Sequence, residues 1–117
     1  MPLDDRDAAY LWDMLQAGKE AQMMLEDKAL AEFIEDRILQ RAIERVLELI
    51  GESARRVSIA GREAIPAIHW REIIGQRNIL AHEYGQIDHE VLYRTVIDDI
   101  PELIGQLDAV LPPLDEV

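Results

Sequence analysis

Three side chains that can do chemistry lie within eight residues of one another, at Arg77, His82 and Tyr84. An arginine can bind an anion such as a phosphate, and a histidine can transfer a proton near neutral pH. A tyrosine supplies a phenol that can donate a hydrogen bond or act as a nucleophile. Asn78 lies between them and adds an amide that both donates and accepts hydrogen bonds. The segment 77–84 is therefore the candidate site of the chain.

The three residues do not all lie on one face of an ideal helix. Arg77 and Tyr84 fall within about 20° of each other, whereas Arg77 and His82 differ by about 140° around the helix axis. Asn78 and His82 are four residues apart and share a face. Three solutions stay open: the long Arg77 side chain reaches around the helix, the helix unwinds near Gly85, or the site takes residues from two subunits.

A purely structural interpretation of the same residues also stays open. An arginine paired with a nearby glutamate, a capping histidine and a half-buried tyrosine would have the same spacing. His69 is interpreted as a surface or packing residue and His89 as an exposed one. The histidines lack metal-ligand spacing, the chain has no cysteine, and no glycine-rich phosphate loop is present. The sequence therefore predicts neither a metal nor a cofactor.

Four helical segments are predicted to position the candidate site, because apolar residues recur every three or four positions. They run from about 5 to 25, 27 to 59, 69 to 83 and 88 to 111. The third segment carries the site, with Ile79 and Leu80 expected to be buried and Gly85 expected to stop the helix. Gly61 and Pro66 predict a loop before it. Pro101 is expected to kink or split the fourth segment.

The second segment has an unusually wide apolar face. Such a face predicts burial on two sides, against the rest of the domain and against a second subunit. Its opposite face carries arginines and glutamates that can pair at i,i+3 or i,i+4, and Gly51 permits close packing. The simplest architecture is an all-α, antiparallel four-helix bundle in which residues 1–117 form a single domain.

The composition predicts a globular protein with a strong negative charge. Hydrophobic residues make up 49% of the 117 residues, and the formal net charge is −12. This charge repels nucleic acid, so contact with RNA needs a local basic patch or an oligomeric cleft. No apolar run approaches the roughly 20 residues that span a bilayer, and the N-terminus lacks a signal-peptide pattern. We therefore expect a cytoplasmic protein without membrane contact.

The pattern Arg77-Asn78-x3-His82-x-Tyr84 resembles the Arg-x4–6-His signature of HEPN domains. It has the Arg-x4-His-x-Tyr form of the HepT toxins, which are partners of MntA-type minimal nucleotidyltransferases. The surroundings are similar as well, and the likeness spans about residues 5–111. The similar positions are Pro66, the run from Trp70 to Gly75, Gly85 and Asp88. Residues 45–54 also resemble the long second helix of the family.

The resemblance implies a homodimer in which the motif helices of two subunits face each other across a cleft. It implies a metal-independent RNA endonuclease, with His82 as general acid or base and Arg77 stabilising the charge of the transition state. Asn78 would orient His82 or a phosphate. The resemblance also implies a toxin of a toxin–antitoxin pair, inhibited by an MntA-like nucleotidyltransferase antitoxin through adenylylation of Tyr84. Assembly beyond the dimer stays open.

The main alternative is a binding module that cuts no RNA. A HEPN dimer of this kind would be a nucleotide-binding or scaffolding partner of a nucleotidyltransferase and would present Tyr84, or only its surface. A third interpretation is a purely structural four-helix dimer.

Overall fold

A computed structural model of the chain describes residues 3–82 and 87–111, with side chains up to residue 80 and again from residue 87. The elements, in chain order, are α1 (Asp5–Leu25), α2 (Leu30–Glu35), α3 (Arg37–Arg56), α4 (Ile59–Ala64), α5 (Trp70–His82), α6 (His89–Arg94), a π-helical turn (Thr95–Asp99) and α7 (Ile100–Val110). No strand occurs in this part of the chain, so the predicted all-α fold is confirmed. No helix within the described ranges has both the length and the apolar character needed to cross a membrane.

The long helix α3 lies at the centre of the bundle. It packs against α1 on one side and α5 on the other, and α1 packs in turn against α7. The connection formed by residues 57–69 is short, so α5 returns along α3. The helices α1, α3, α5 and α7 contribute enclosed apolar side chains, among them Leu11, Met14, Ile43, Leu80 and Leu107. Burying one such side chain stabilises the fold by about 1.5–3 kcal/mol, which holds the helices in this order.

The predicted long second helix is interrupted, so the expected extent of 27–59 was wrong. Asp36 has φ −107° and ψ 95°, outside the helical region, and its side chain accepts a hydrogen bond from the Leu39 N–H at 3.0 Å. The Gln40 amide donates to the carbonyls of Phe33 and Ile34 at 2.9 and 2.8 Å. α2 therefore ends and α3 begins at Asp36, where backbone carbonyls at the end of α2 and a backbone N–H at the start of α3 are hydrogen-bonded by side chains.

The segment before α5 contains a short helix where a loop was predicted. In α4, the Ser58 side chain caps the first turn and accepts from the Gly61 N–H at 3.0 Å. Ser58 is held in turn by the buried carboxylate of Asp7, which accepts from the Ser58 N–H at 2.8 Å. A contact 51 residues apart in sequence thus stabilises a helix that is too short to be stable alone.

The last helical segment is split as Pro101 predicts. α6 ends at Arg94, and the Ile100 N–H donates to the Thr95 carbonyl, which gives one π-helical turn before α7 begins. Pro101 lies at the start of α7 and has no N–H to continue a regular ladder. The wider turn changes the direction of the chain, and α7 packs along α1.

Candidate active site

The Arg77 side chain packs against the neighbouring helix α3. It lies over Gly51 of α3, where α3 and α5 pack closely together. A Cβ atom added to Gly51 would lie 2.9 Å from Arg77 Cγ and 2.9 Å from the Ile73 carbonyl oxygen, and it would overlap Arg77 Cβ. Only glycine fits there, so the close packing predicted at Gly51 is confirmed and is directed at the candidate arginine.

The Arg77 side chain is half-buried, with its base fixed and its guanidinium directed outward. One terminal nitrogen, Nη1, donates to Asn78 Oδ1 at 3.2 Å, and this contact is exposed to solvent. Nε is buried and has no hydrogen-bond partner among the residues that the structure describes. Asn78 thus contacts Arg77, whereas the family resemblance implied that it orients His82 or a phosphate. A guanidinium held by its neighbour in this way can present its remaining N–H groups to an anion.

His82 is the last residue of α5, which is helical without interruption from Arg77 onward. The two positions are therefore separated by the roughly 140° of an ideal helix, and unwinding between them does not bring them together. Gly85 and Tyr84 lie outside the described residues, as do the side chain of His82 and any break of the helix near Gly85.

The face of α5 beside Arg77 is partly open. Leu80 is buried as predicted, but Ile79 is 42% exposed, so the prediction that both side chains supply buried contacts was wrong for Ile79. On α3, Ile38 is 85% exposed and Leu49 is 36% exposed. Apolar side chains of this size are usually enclosed. Ile38 and Leu49 therefore leave part of the apolar surface of α3 uncovered within the described residues.

A buried carboxylate lies where α6 meets α3. Glu44 is 8% exposed, and its Oε2 lies 3.0 Å from His89 Nε2. Arg41 Nη1 lies 3.1 and 3.2 Å from the two Glu44 oxygens. His89 is half-buried and paired, so the expectation that it is exposed was wrong. The pair therefore links the start of α6 to α3.

The role of Glu44 was missed by sequence reasoning, although a signal was present. Glu44 precedes the buried residues Leu47 and Gly51 by three and seven positions, so it lies on the same face of α3. A carboxylate on a buried face requires a partner. The other expected pairs of α3 are confirmed at the surface, since Arg45 lies 2.8 Å from Glu48 and Arg56 lies 3.1 Å from Glu52.

The described side chains include no group of three histidine, aspartate or glutamate residues close enough to hold a metal ion. The chemistry that this part of the chain offers at the motif is therefore that of a cation and an amide: Arg77, steadied by Asn78, can bind and neutralise a phosphate.

The comparisons with known proteins identify the family. The family model described as ribonuclease HepT-like matches residues 14–110, which include the Gly51 contact and the whole motif. No solved structure gives a significant match to the chain.

Three curated relatives cover nearly the same region. A protein of Methanocaldococcus jannaschii named as a candidate RNase is 34% identical over 102 residues, which are 87% of this chain and 94% of the relative. A candidate RNase of Caldanaerobacter subterraneus subsp. tengcongensis is 32% identical, over 87% of this chain and 91% of the relative. A candidate ribonuclease HepT of Thermococcus cleftensis is 33% identical, over 85% of this chain and 90% of the relative.

Proposed function

This chain belongs to the HepT-like ribonuclease family, and from that premise we propose that it is a metal-independent RNA endonuclease and the toxin of a toxin–antitoxin pair. The observation that carries the proposal is the packing of Arg77 against Gly51. A glycine on α3 allows the motif arginine to lie against the bundle, and Asn78 holds its guanidinium at the surface. An arginine fixed in this way suits a phosphate substrate better than a mobile surface cation does.

The proposed reaction needs one proton carrier and one cation. The ribose 2′-hydroxyl attacks the neighbouring phosphorus while its proton passes to a base, and the bond to the 5′-oxygen of the next nucleotide breaks as that oxygen gains a proton. His82 is the proposed general base or acid for these transfers. Arg77 would stabilise the added negative charge on the phosphorane-like transition state. No metal takes part in this scheme.

A homodimer would bring two copies of the motif to one cleft. Three apolar side chains support such an interface, since Ile79 is 42%, Leu49 36% and Ile38 85% exposed within the described part of the chain. Arg77 and His82 are roughly 140° apart around one helix, so they do not share a face. In a dimer, one subunit can supply the arginine and its partner the histidine. Two arginines in one cleft would create the local positive site that RNA binding requires in an acidic protein.

Control by a nucleotidyltransferase antitoxin is the regulatory half of the proposal. Tyr84 follows the end of α5 by two residues and is the proposed site of adenylylation. A nucleotide added there would bring bulk and negative charge to the motif that contains Arg77, the residue proposed to bind an RNA phosphate. The modification would thereby block the cleft.

One observation favours the non-catalytic alternative. The formal net charge of −12 opposes RNA binding, whereas a scaffold that presents Tyr84 to a nucleotidyltransferase needs no RNA contact. The two functions differ in their dependence on His82, because a scaffold does not use its imidazole.

Expression in bacterial cells separates these functions. We expect the wild-type chain to arrest growth and Arg77→Ala and His82→Ala to lose that effect while remaining folded. The matched control is Arg71→Ala, which removes an exposed arginine of the same helix and should remain toxic. Co-expression with the cognate nucleotidyltransferase should restore growth and add one nucleotide to the protein mass, and Tyr84→Phe should prevent that addition. Toxicity that survives both motif substitutions contradicts the ribonuclease proposal.

A further inference from the structure

An open cavity of about 280 Å³ lies between α5 and α7, over the middle of α3. The proposed ribonuclease mechanism does not use it. Its floor is apolar and is formed by three helices, through Leu47, Ile50, Ile73, Ile100 and Leu103. An apolar floor of this kind favours a ligand with a hydrocarbon body, because water in contact with it is readily displaced.

The rim of the cavity is negatively charged. Glu72 of α5 lines the cavity, as do Asp99 of the π-helical turn and Glu102 of α7. The lining residue that can carry positive charge is His69, whose Nδ1 lies 3.4 Å from Glu72 Oε2. Neither lysine nor arginine lines the cavity among the described residues. The rim therefore attracts cations and repels phosphates and carboxylates.

Two side-chain amides that line the cavity link the segments around it. The Gln76 amide of α5 donates to Thr95 Oγ1 of the π-helical turn at 3.5 Å. The Gln106 amide of α7 donates to the carbonyl of Ala67, in the connection before α5, at 3.0 Å. A space of about 280 Å³ suits a small molecule better than a helix or strand of a protein partner.

The π-helical turn shapes the cavity directly. Its two end residues, Thr95 and Asp99, both line the space. A π-helical turn is rare in helices and is often found where a binding site is formed. The interruption at Pro101 thus has a consequence beyond the change of helix direction, because it places a hydroxyl and a carboxylate on the same wall.

We propose that this cavity binds a small organic cation with an aliphatic body, such as an alkyl diamine. The hydrocarbon chain lies on the floor formed by α3, and the ammonium groups pair with the carboxylates of Glu72 and Glu102. Both the apolar contact and the ion pairs are needed for binding, since the exposed carboxylates alone interact weakly with a cation in water.

Calorimetric titration of the purified chain with hexane-1,6-diamine at low salt tests the proposal, with hexane-1,6-diol as a neutral ligand of the same length. We expect saturable binding of one diamine per cavity and at least roughly fivefold weaker binding of the diol. The double variant Glu72→Gln/Glu102→Gln should weaken diamine binding by a similar factor of about five. The control Glu20→Gln/Glu63→Gln removes the same charge from exposed positions outside the cavity and should bind as the wild type does.

Three results would overturn the proposal. Diamine uptake that never saturates would indicate general attraction to an acidic protein, and an equal loss of binding in both double variants would indicate the same. Equal affinity for diol and diamine would remove the role of the carboxylates. A melting temperature close to that of the wild type, measured for each variant, ensures that weaker binding reports the cavity.

Discussion

Gly51 of α3 and Arg77 of α5 are in contact, and the arginine Cβ and Cγ occupy the space that a side chain at position 51 would need. The motif arginine is therefore positioned by a residue that carries no side chain, on another helix. The apolar packing on either side of this contact fixes the separation of the two helices. Any enlargement at position 51 must displace Arg77, the backbone of α5, or both.

Gly51→Ala is expected to damage both stability and RNA cleavage. Overpacking of a close helix contact costs about 1–3 kcal/mol in the free energy of unfolding, and the displaced Arg77 would no longer meet the phosphate. Urea unfolding and a cleavage assay measure the two effects. Full cleavage activity in a folded Gly51→Ala variant would contradict the proposal that the contact with Gly51 positions Arg77 for catalysis.

Gly75→Ala is the matched control on α5. No described atom lies within 4 Å of a Cβ built at Gly75, so the substitution adds no clash. Alanine favours a helix over glycine by about 0.5–1 kcal/mol. The control variant should therefore be slightly more stable than the wild type and equally active.

Glu44→Gln is expected to destabilise the junction between α3 and α6. The substitution keeps the size of the side chain but leaves Arg41 and His89 without the buried carboxylate that contacts both. The expected loss is about 1–3 kcal/mol in the free energy of unfolding, and hydrogen exchange should increase in α6. Glu48→Gln removes an equivalent charge from the Arg45 pair, nearer the surface, and should cost less than about 1 kcal/mol. Equal losses in the two variants would argue against a special role for Glu44.

Ile79→Glu is expected to separate a homodimer into folded monomers. Ile79 is 42% exposed on the motif helix, so a charge there costs little within one subunit but is unfavourable in an apolar interface. Sedimentation equilibrium measures the change. Met23→Glu, at a 72% exposed position of α1, is the control and should leave the mass unchanged. A monomeric wild-type chain, or an Ile79→Glu variant that stays dimeric, would place the interface elsewhere or exclude it.

The helices that carry strong local signals could be predicted from the sequence. Asp4 caps α1 through hydrogen bonds from the Arg6 and Asp7 N–H groups, and Pro101 splits the last segment. α5 begins within one residue of its predicted start at 69 and is helical as far as the described residues reach, at His82.

The features that were missed depend on contacts between distant residues. The apolar spacing from Ile34 to Ile38 continues across the break at Asp36, and the break is stabilised by the Gln40 amide, which local propensity does not encode. α4 depends on the contact between Asp7 and Ser58, and the burial of His89 depends on Glu44, 45 residues away. Within the candidate site, the motif residues were identified from their spacing, while the packing of Arg77 against Gly51 required the three-dimensional structure.

Cleavage of single-stranded RNA by the purified chain in excess EDTA tests the central claim most directly. The account predicts that the wild type and Arg71→Ala cut RNA without metal and leave 2′,3′-cyclic phosphate ends, and that His82→Ala and Arg77→Ala lower the rate by about 10²-fold or more while remaining folded. Cleavage that requires a divalent metal, or that persists unchanged in both motif variants, would contradict it.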